Sequence, residues 1–268
     1  MARFEGRILM PFEKLVPVDA HLQGMCWQRF KDYSFAKDDL GKAIVAAEAG
    51  LVASFAPFLF QRTGDEYIPY ALFSLSGTGN AFVSPDGVWK GTYVPARMRS
   101  DPFYLMGRGY AAIISVRNDA VLKHSNGASE NLPFLTETGN LTPPIRQVFR
   151  FLKQLEEETE KTQRLVMKVA RMGLLKPYEH RTFTRNDRNQ LFIVDFKKVH
   201  ENKEIQEFIS KDVSVHGLLQ AHAISLAQVN RLHAAEANRA AAGRGHITAP
   251  KDVSGFLSAL GDALELES

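Results

Sequence analysis

Residues 80–103 read NAFVSPDGVWKGTYVPARMRSDPF. Ser84-Pro85-Asp86-Gly87 makes a tight turn: Pro85 pre-sets φ at the first corner, Asp86 can bond its own backbone, and Gly87 tolerates a positive φ. Apolar residues flank the turn on both sides, so the spacing predicts a two-stranded antiparallel hairpin over residues 81–94. On its second arm Trp89, Gly91 and Tyr93 share one face, because strand side chains alternate. Gly91 between two aromatics predicts a gap in which a ligand or another backbone lies across the strand. Pro95 ends the strand, Arg97 and Arg99 follow, and Asp101-Pro102 forces another extended or turned dipeptide. Trp89, Tyr93, Arg97 and Phe103 are the candidate binding residues, since Trp, Tyr and Arg are enriched among binding hot spots. The plainer alternative makes the aromatics core residues and the arginines solvated.

Upstream, DLGKAIVAAEAG (residues 39–50) reads as a short helix capped by Asp38 or Asp39 and stopped at Gly50. Glu48 at its end reads as a solvated or capping carboxylate. Residues 51–61 and 67–76 read as strands, the first placed at an edge or bulge by Pro57. Gly77-Thr78-Gly79 and the G-x-G-x-x-A match at residues 107–112 raise the question of a phosphate loop. Such a loop needs a helix directly after its glycines. Strand-like residues follow both, so neither match stands.

Downstream, Thr142-Pro143-Pro144 opens the longest element, a helix over residues 143–172. Its buried face is Ile145, Val148, Leu152, Leu155, Thr159, Thr162, Val166 and Val169, spaced alternately by three and four. Gly173 and Pro177 end it. A hairpin at 181–197, a helix at 203–211 and a second long helix at 214–240 complete the pattern. His222 and His233 fall three turns apart on that last helix, about 16 Å by helix rise. They cannot share a metal ion and read as core or interface residues. The expected class is α+β: an antiparallel sheet with hairpins, built largely from residues 51–116, flanked by two long helices. Residues 1–242 are read as one domain. Residues 243–268 are read as a linker and an amphipathic appendage that docks through Phe256, Leu257, Leu260 and Leu264.

The 268 residues carry a net charge of +3, too mild to imply a nucleic-acid or membrane-surface partner. The basic stretch at 176–188 lacks the aromatic interleaving that base stacking needs. Cys26 is the single cysteine, so no intrachain disulfide forms, and it reads as a core residue. No apolar signal region opens the chain, which suggests a cytoplasmic protein. Glu48, Gly50 and Pro57 break the most apolar run, which rules it out as a transmembrane segment. No H-E-x-x-H, C-x-x-C, G-x-S-x-G or Walker pattern occurs. No metal and no cofactor are expected.

Four stretches, in order, carry a family resemblance: GVWKGTYVPARMRSDPF, NLPFLTETGNLTPPIRQVFRFLKQLEEETEKT, MGLLKP and AHAISLAQVNRL. Together they resemble the bacterial SapC family over roughly residues 20–235. Thr136 and Thr138 depart from it, standing where acidic residues are expected, and the tail after about Ala240 has no counterpart. The family name comes from a surface-layer gene setting, and no established chemistry comes with it. Its members resemble accessory proteins encoded near flavin-type halogenases and outer-membrane receptors. The resemblance therefore implies a non-catalytic binding or accessory protein for a peptide, a protein partner or a modifying enzyme. A homo-oligomer would form through the long helices or the C-terminal segment. Two alternatives remain: an enzyme whose groups meet only in three dimensions, with a buried and strongly perturbed His, Asp or Glu in a cleft, and a surface-layer component.

Overall fold

The computed structural model describes residues 14–107, 111–123, 130–178 and 191–242. The chain divides into a compact unit ending at Glu236 and a second unit beginning at Ala237. The fold is α+β, as expected, but among the described residues its strands form three antiparallel sheets rather than one. The largest is built on the hairpin of β4 (Phe58–Thr63) and β5 (Glu66–Leu72). Its two-residue turn places Gly64 at φ +62°, a region that favours glycine. β3 (Gly41–Ala43) adds to the β5 edge, and the hairpin of β10 (Leu175–Pro177) and β11 (Leu191–Val194) adds to β4. β6 (Phe103–Met106), β7 (Ile113–Arg117) and β1 (Leu15–Pro17) make a second sheet. β8 (Leu122–Lys123), β2 (Met25–Trp27) and β9 (Leu132–Pro133) make a third.

The long helix α3 (Pro143–Arg171) spans the cores of these sheets. Ile145 and Leu152 enter a core with Trp27, Phe103 and Phe134, while Leu165, Val166 and Val169 enter the main core with Phe58, Phe60 and Phe73. One apolar stripe on one rigid rod thus covers two cores. Cys26 is a buried core residue whose thiol burial pushes up, in keeping with the reading from sequence.

Several local expectations give way to tertiary contacts. Residues 41–43 are strand, not helix, because they pair with β5. A 3-10 turn (Ala46–Glu48) and α1 (Ala49–Ala53) follow. The second long helix is two, α6 (Val213–Leu226) and α7 (Val229–Ala242). It breaks where Gln228 turns inward and donates to the Ala53 carbonyl at 3.1 Å. Between α3 and α6 lie the short helices α4 (Phe196–Glu201) and α5 (Lys203–Lys211). Of the hairpin expected at 181–197, the first arm and the turn lie outside the described residues; its second arm, Leu191–Val194, pairs with Leu175–Pro177. The appendage at 243–268 lies outside the described residues as well. Among the described residues no helix is long and apolar enough to cross a membrane.

α6 is fastened to the sheet by a histidine. The pairing of Phe192 with Phe60 would next bring Val194 opposite Phe58. There the imidazole of His222 stands between them. Val194 N–H donates to Nε2 at 3.2 Å, which leaves Nδ1 to carry the proton and donate to the Phe58 carbonyl at 3.0 Å. The ring is fully buried, packed among Phe58, Phe60 and Phe196. Burial pushes its pKa down from 6.5 to about 4, only partly opposed by the Phe58 hydrogen bond. Protonation would turn the acceptor Nε2 into a donor facing another donor. The ring's contribution is therefore present above pH 6.5 and is lost as pH falls from 6.5 through 4. We expect unfolding free energy to fall by about 3 kcal/mol across that window. His222→Phe should be less stable at pH 7 but should lack that part of the acid slope. Denaturant unfolding at several pH values checks this; an unchanged slope in the variant contradicts it.

Candidate functional site

The stretch at 81–94 turns as expected but does not become two strands. A single bridge joins Val83 and Trp89. Backbone bonds still cross the turn, from Ser84 N–H to the Val88 carbonyl at 3.0 Å and from Lys90 N–H to the Phe82 carbonyl at 2.8 Å, but the Ser84 hydroxyl accepts from Val88 N–H at 3.0 Å and so diverts one donor that a ladder would use. The chain then curls, because the Trp89 indole N–H donates to the Tyr93 carbonyl at 2.9 Å. Trp89 is half-buried against Tyr33, Phe55, Phe73 and Phe82. Gly91 leaves no gap for a ligand. A Cβ there would stand 2.7 Å from Trp89 Nε1 and 2.9 Å from the Phe55 ring, so the protein's own aromatics fill the space. Phe103 is not at a rim either. It is 1% exposed, because β6 aims it inward to meet Trp27 edge-on.

Tyr93 bonds to a carboxylate that reads from sequence as solvated or capping, and Arg97 directly follows that carboxylate's Ala96 donor in the chain. Glu48 is 4% exposed. Its Oε1 accepts from Val45 N–H at 3.1 Å, which is the capping half of that reading. Its Oε2 accepts from Ala96 N–H at 2.8 Å and from the Tyr93 hydroxyl at 3.0 Å. Ala96 opens the short helix α2 (Ala96–Arg99), so the carboxylate meets that helix's first free amide. Burial and the neighbouring Glu48 push the Tyr93 phenol up, against the pull of Arg99. Arg99 donates to the phenol oxygen at 2.9 Å and lies over the rings of Tyr93 and Phe151. Arg97 donates to Thr159 Oγ1 at 3.0 Å, and Ala46 N–H donates to Thr162 Oγ1 at 2.7 Å. Both threonines lie on the inner face read for α3.

The far side of the 46–48 turn borders an open groove of about 680 Å³ between α3 and the start of α6. Ala46, Ala47, Leu165 and Leu218 line it. So do three cations, Lys161, Arg164 and Lys168, against two carboxylates, Glu158 and Asp212. Lys161 pairs with Glu158 and Lys168 with Asp212, each at 2.7 Å, and among the described residues Arg164 has no ion-pair partner. Val213 at the edge is 82% exposed. Thr162, read from sequence as part of the inner face of α3, lines this groove, and none of the candidate binding residues does. The groove is assembled from three separate segments, at 46–47, 158–168 and 212–218. Asp101, raised by burial to about 6 beside Arg117, and His222 are strongly perturbed, yet neither lines it. Their shifts accompany ion pairing and packing. Among the described residues no group of three or more His, Cys, Asp or Glu could hold a metal ion.

A family model described as SapC matches residues 19–232. No curated protein and no solved structure matches the chain.

The network makes an ordered stability prediction. Glu48→Ala leaves two backbone N–H groups and a phenol without their acceptor and should cost about 2–4 kcal/mol, whereas Tyr93→Phe removes one bond and should cost about 1 kcal/mol. Urea unfolding of the two variants checks the order; equal losses would mean that Glu48 does not organise the site.

Proposed function

The chain belongs to the SapC family, and on that footing we propose that it is a binding or accessory protein whose groove takes a segment of a protein or peptide partner. The supporting observation is the groove's chemistry. An apolar lining, an exposed Val213 and three cations against two carboxylates, with Arg164 in no ion pair among the described residues, suit a segment bearing apolar and acidic side chains. Arg99, exposed and stacked on Tyr93 and Phe151, and the half-buried Arg97, bonded to Thr159, extend this surface along α3. Trp89 supports the loop at 89–93 that carries Tyr93. The family resemblance suggests a modifying enzyme, such as a flavin-type halogenase, as one source of the partner.

The test begins with affinity capture on the full chain from its native host and identification of what is retained. Affinity for that partner is then measured for Arg164→Glu and Val213→Asp. Both side chains are exposed, so melting temperature should hold, since surface changes move stability by only about 0.5 kcal/mol. Affinity should fall at least about tenfold. Undiminished affinity in both folded variants removes the groove from the site. Arg97→Ala, with the same readouts, asks whether the surface reaches α2; unchanged affinity there confines it to the groove.

A further inference from the structure

Residues 74–79, SLSGTG, contain one of the glycine-rich matches that no following helix supports as a nucleotide loop. The loop nevertheless holds an anion, and the anion is the protein's own. Glu236 on α7 sends Oε1 into it. That one oxygen accepts from Leu75 N–H at 2.7 Å, Ser76 N–H at 3.0 Å, the Ser74 hydroxyl at 2.5 Å and the Ser76 hydroxyl at 2.8 Å. The donors are themselves held in place. Gly77 N–H donates to Ser74 Oγ at 3.0 Å, and since the Ser76 proton points at Glu236, Thr78 is the donor in its 2.8 Å contact with Ser76. Gly77 and Gly79 take φ of +76° and +103°, which closes the loop around the consecutive amides. Burial pushes the Glu236 carboxyl up, but the Ser74, Ser76 and Leu75 hydrogen bonds outweigh it and hold the group below its ordinary value.

Four donors converge on an oxygen that belongs to a group carrying a single charge. A phosphoryl group offers three terminal oxygens and nearly two charges to the same donors. Ser76, Gly77 and Thr78 are exposed, so a ligand reaches the loop without unfolding it. Glu236 sits one turn past the fully buried Leu232, so its side chain can leave while that anchor holds. We propose that residues 74–79 form an oxyanion site that Glu236 fills as an internal ligand, and that a phosphoryl group competes for it and releases Glu236. None of these residues lines the groove, so this proposal stands or falls separately from the partner-binding reading.

The test titrates the full isotope-labelled chain with inorganic phosphate and with O-phosphoserine. In the wild type, the Leu75 and Ser76 amide signals should shift with either probe, and amide exchange at residues 233–236 should quicken. Glu236→Gln keeps an acceptor oxygen but loses the charge, and should bind at least about tenfold tighter. Adding Ser74→Ala and Ser76→Ala to it should undo that gain. Tighter binding of phosphoserine would point to a phosphorylated partner, and equal binding to free phosphate. A folded Glu236→Gln with no gain overturns the proposal. So does binding that the serine changes leave intact, which is an adventitious ion only. Should Glu236→Gln fail to fold, the wild-type titration decides: unmoved Leu75 and Ser76 signals overturn the proposal.

Discussion

A buried carboxylate at position 48 constrains this molecule more than any other single group. Glu48 lies under the surface, so its oxygens must be met by donors from the protein. Those donors come from a turn at Val45, from the first amide of α2 at Ala96 and from the Tyr93 phenol. The requirement brings two segments nearly fifty residues apart against the same stretch of α3. The groove edge at Ala46 and the arginine-bearing helix α2 then follow from it.

Glu48, His222 and Glu236 solve one problem in three places. Many of the strands are only two to four residues long, so many backbone amides and carbonyls have no ladder partner. Side chains take that role. The neutral imidazole of His222 bridges an amide and a carbonyl where β4 and β11 part, Glu48 caps α2, and Glu236 collects the amides of the loop at 74–79. A fold held together in this way depends on a few polar groups whose protonation state matters as much as their shape.

The long helix shows how well a periodic signal survives folding. Of the eight residues read as its buried face, Ile145, Leu152, Leu155, Thr162, Val166 and Val169 are buried, and Val148 and Thr159 half-buried. Residues 80–103 show the reverse. The turn chemistry at Pro85-Asp86-Gly87 is readable. The arms are not, because the Ser84 hydroxyl diverts the Val88 N–H, the Trp89 indole holds the Tyr93 carbonyl, and Phe55 fills the space beside Gly91. Phe103 reads from sequence as a candidate binding residue, but which side of β6 faces the core is set by the second sheet. Glu48 was misjudged as to its burial because a carboxylate's environment lies in residues far away in the chain.

Local rules therefore settled what depends on neighbours in sequence: the α+β class, the span of α3, helix α5, the stops at Gly173 and Pro177, and membership of the SapC family through motifs in order. They work there because helix periodicity, proline geometry and glycine's freedom are properties of a few adjacent residues. The tertiary structure alone decided the division into three sheets, the break at Gln228, the burial of Glu48 and His222, the groove, and the capture of Glu236. Each of these depends on atoms far away in the chain or on several segments at once. No window of neighbouring residues contains that information.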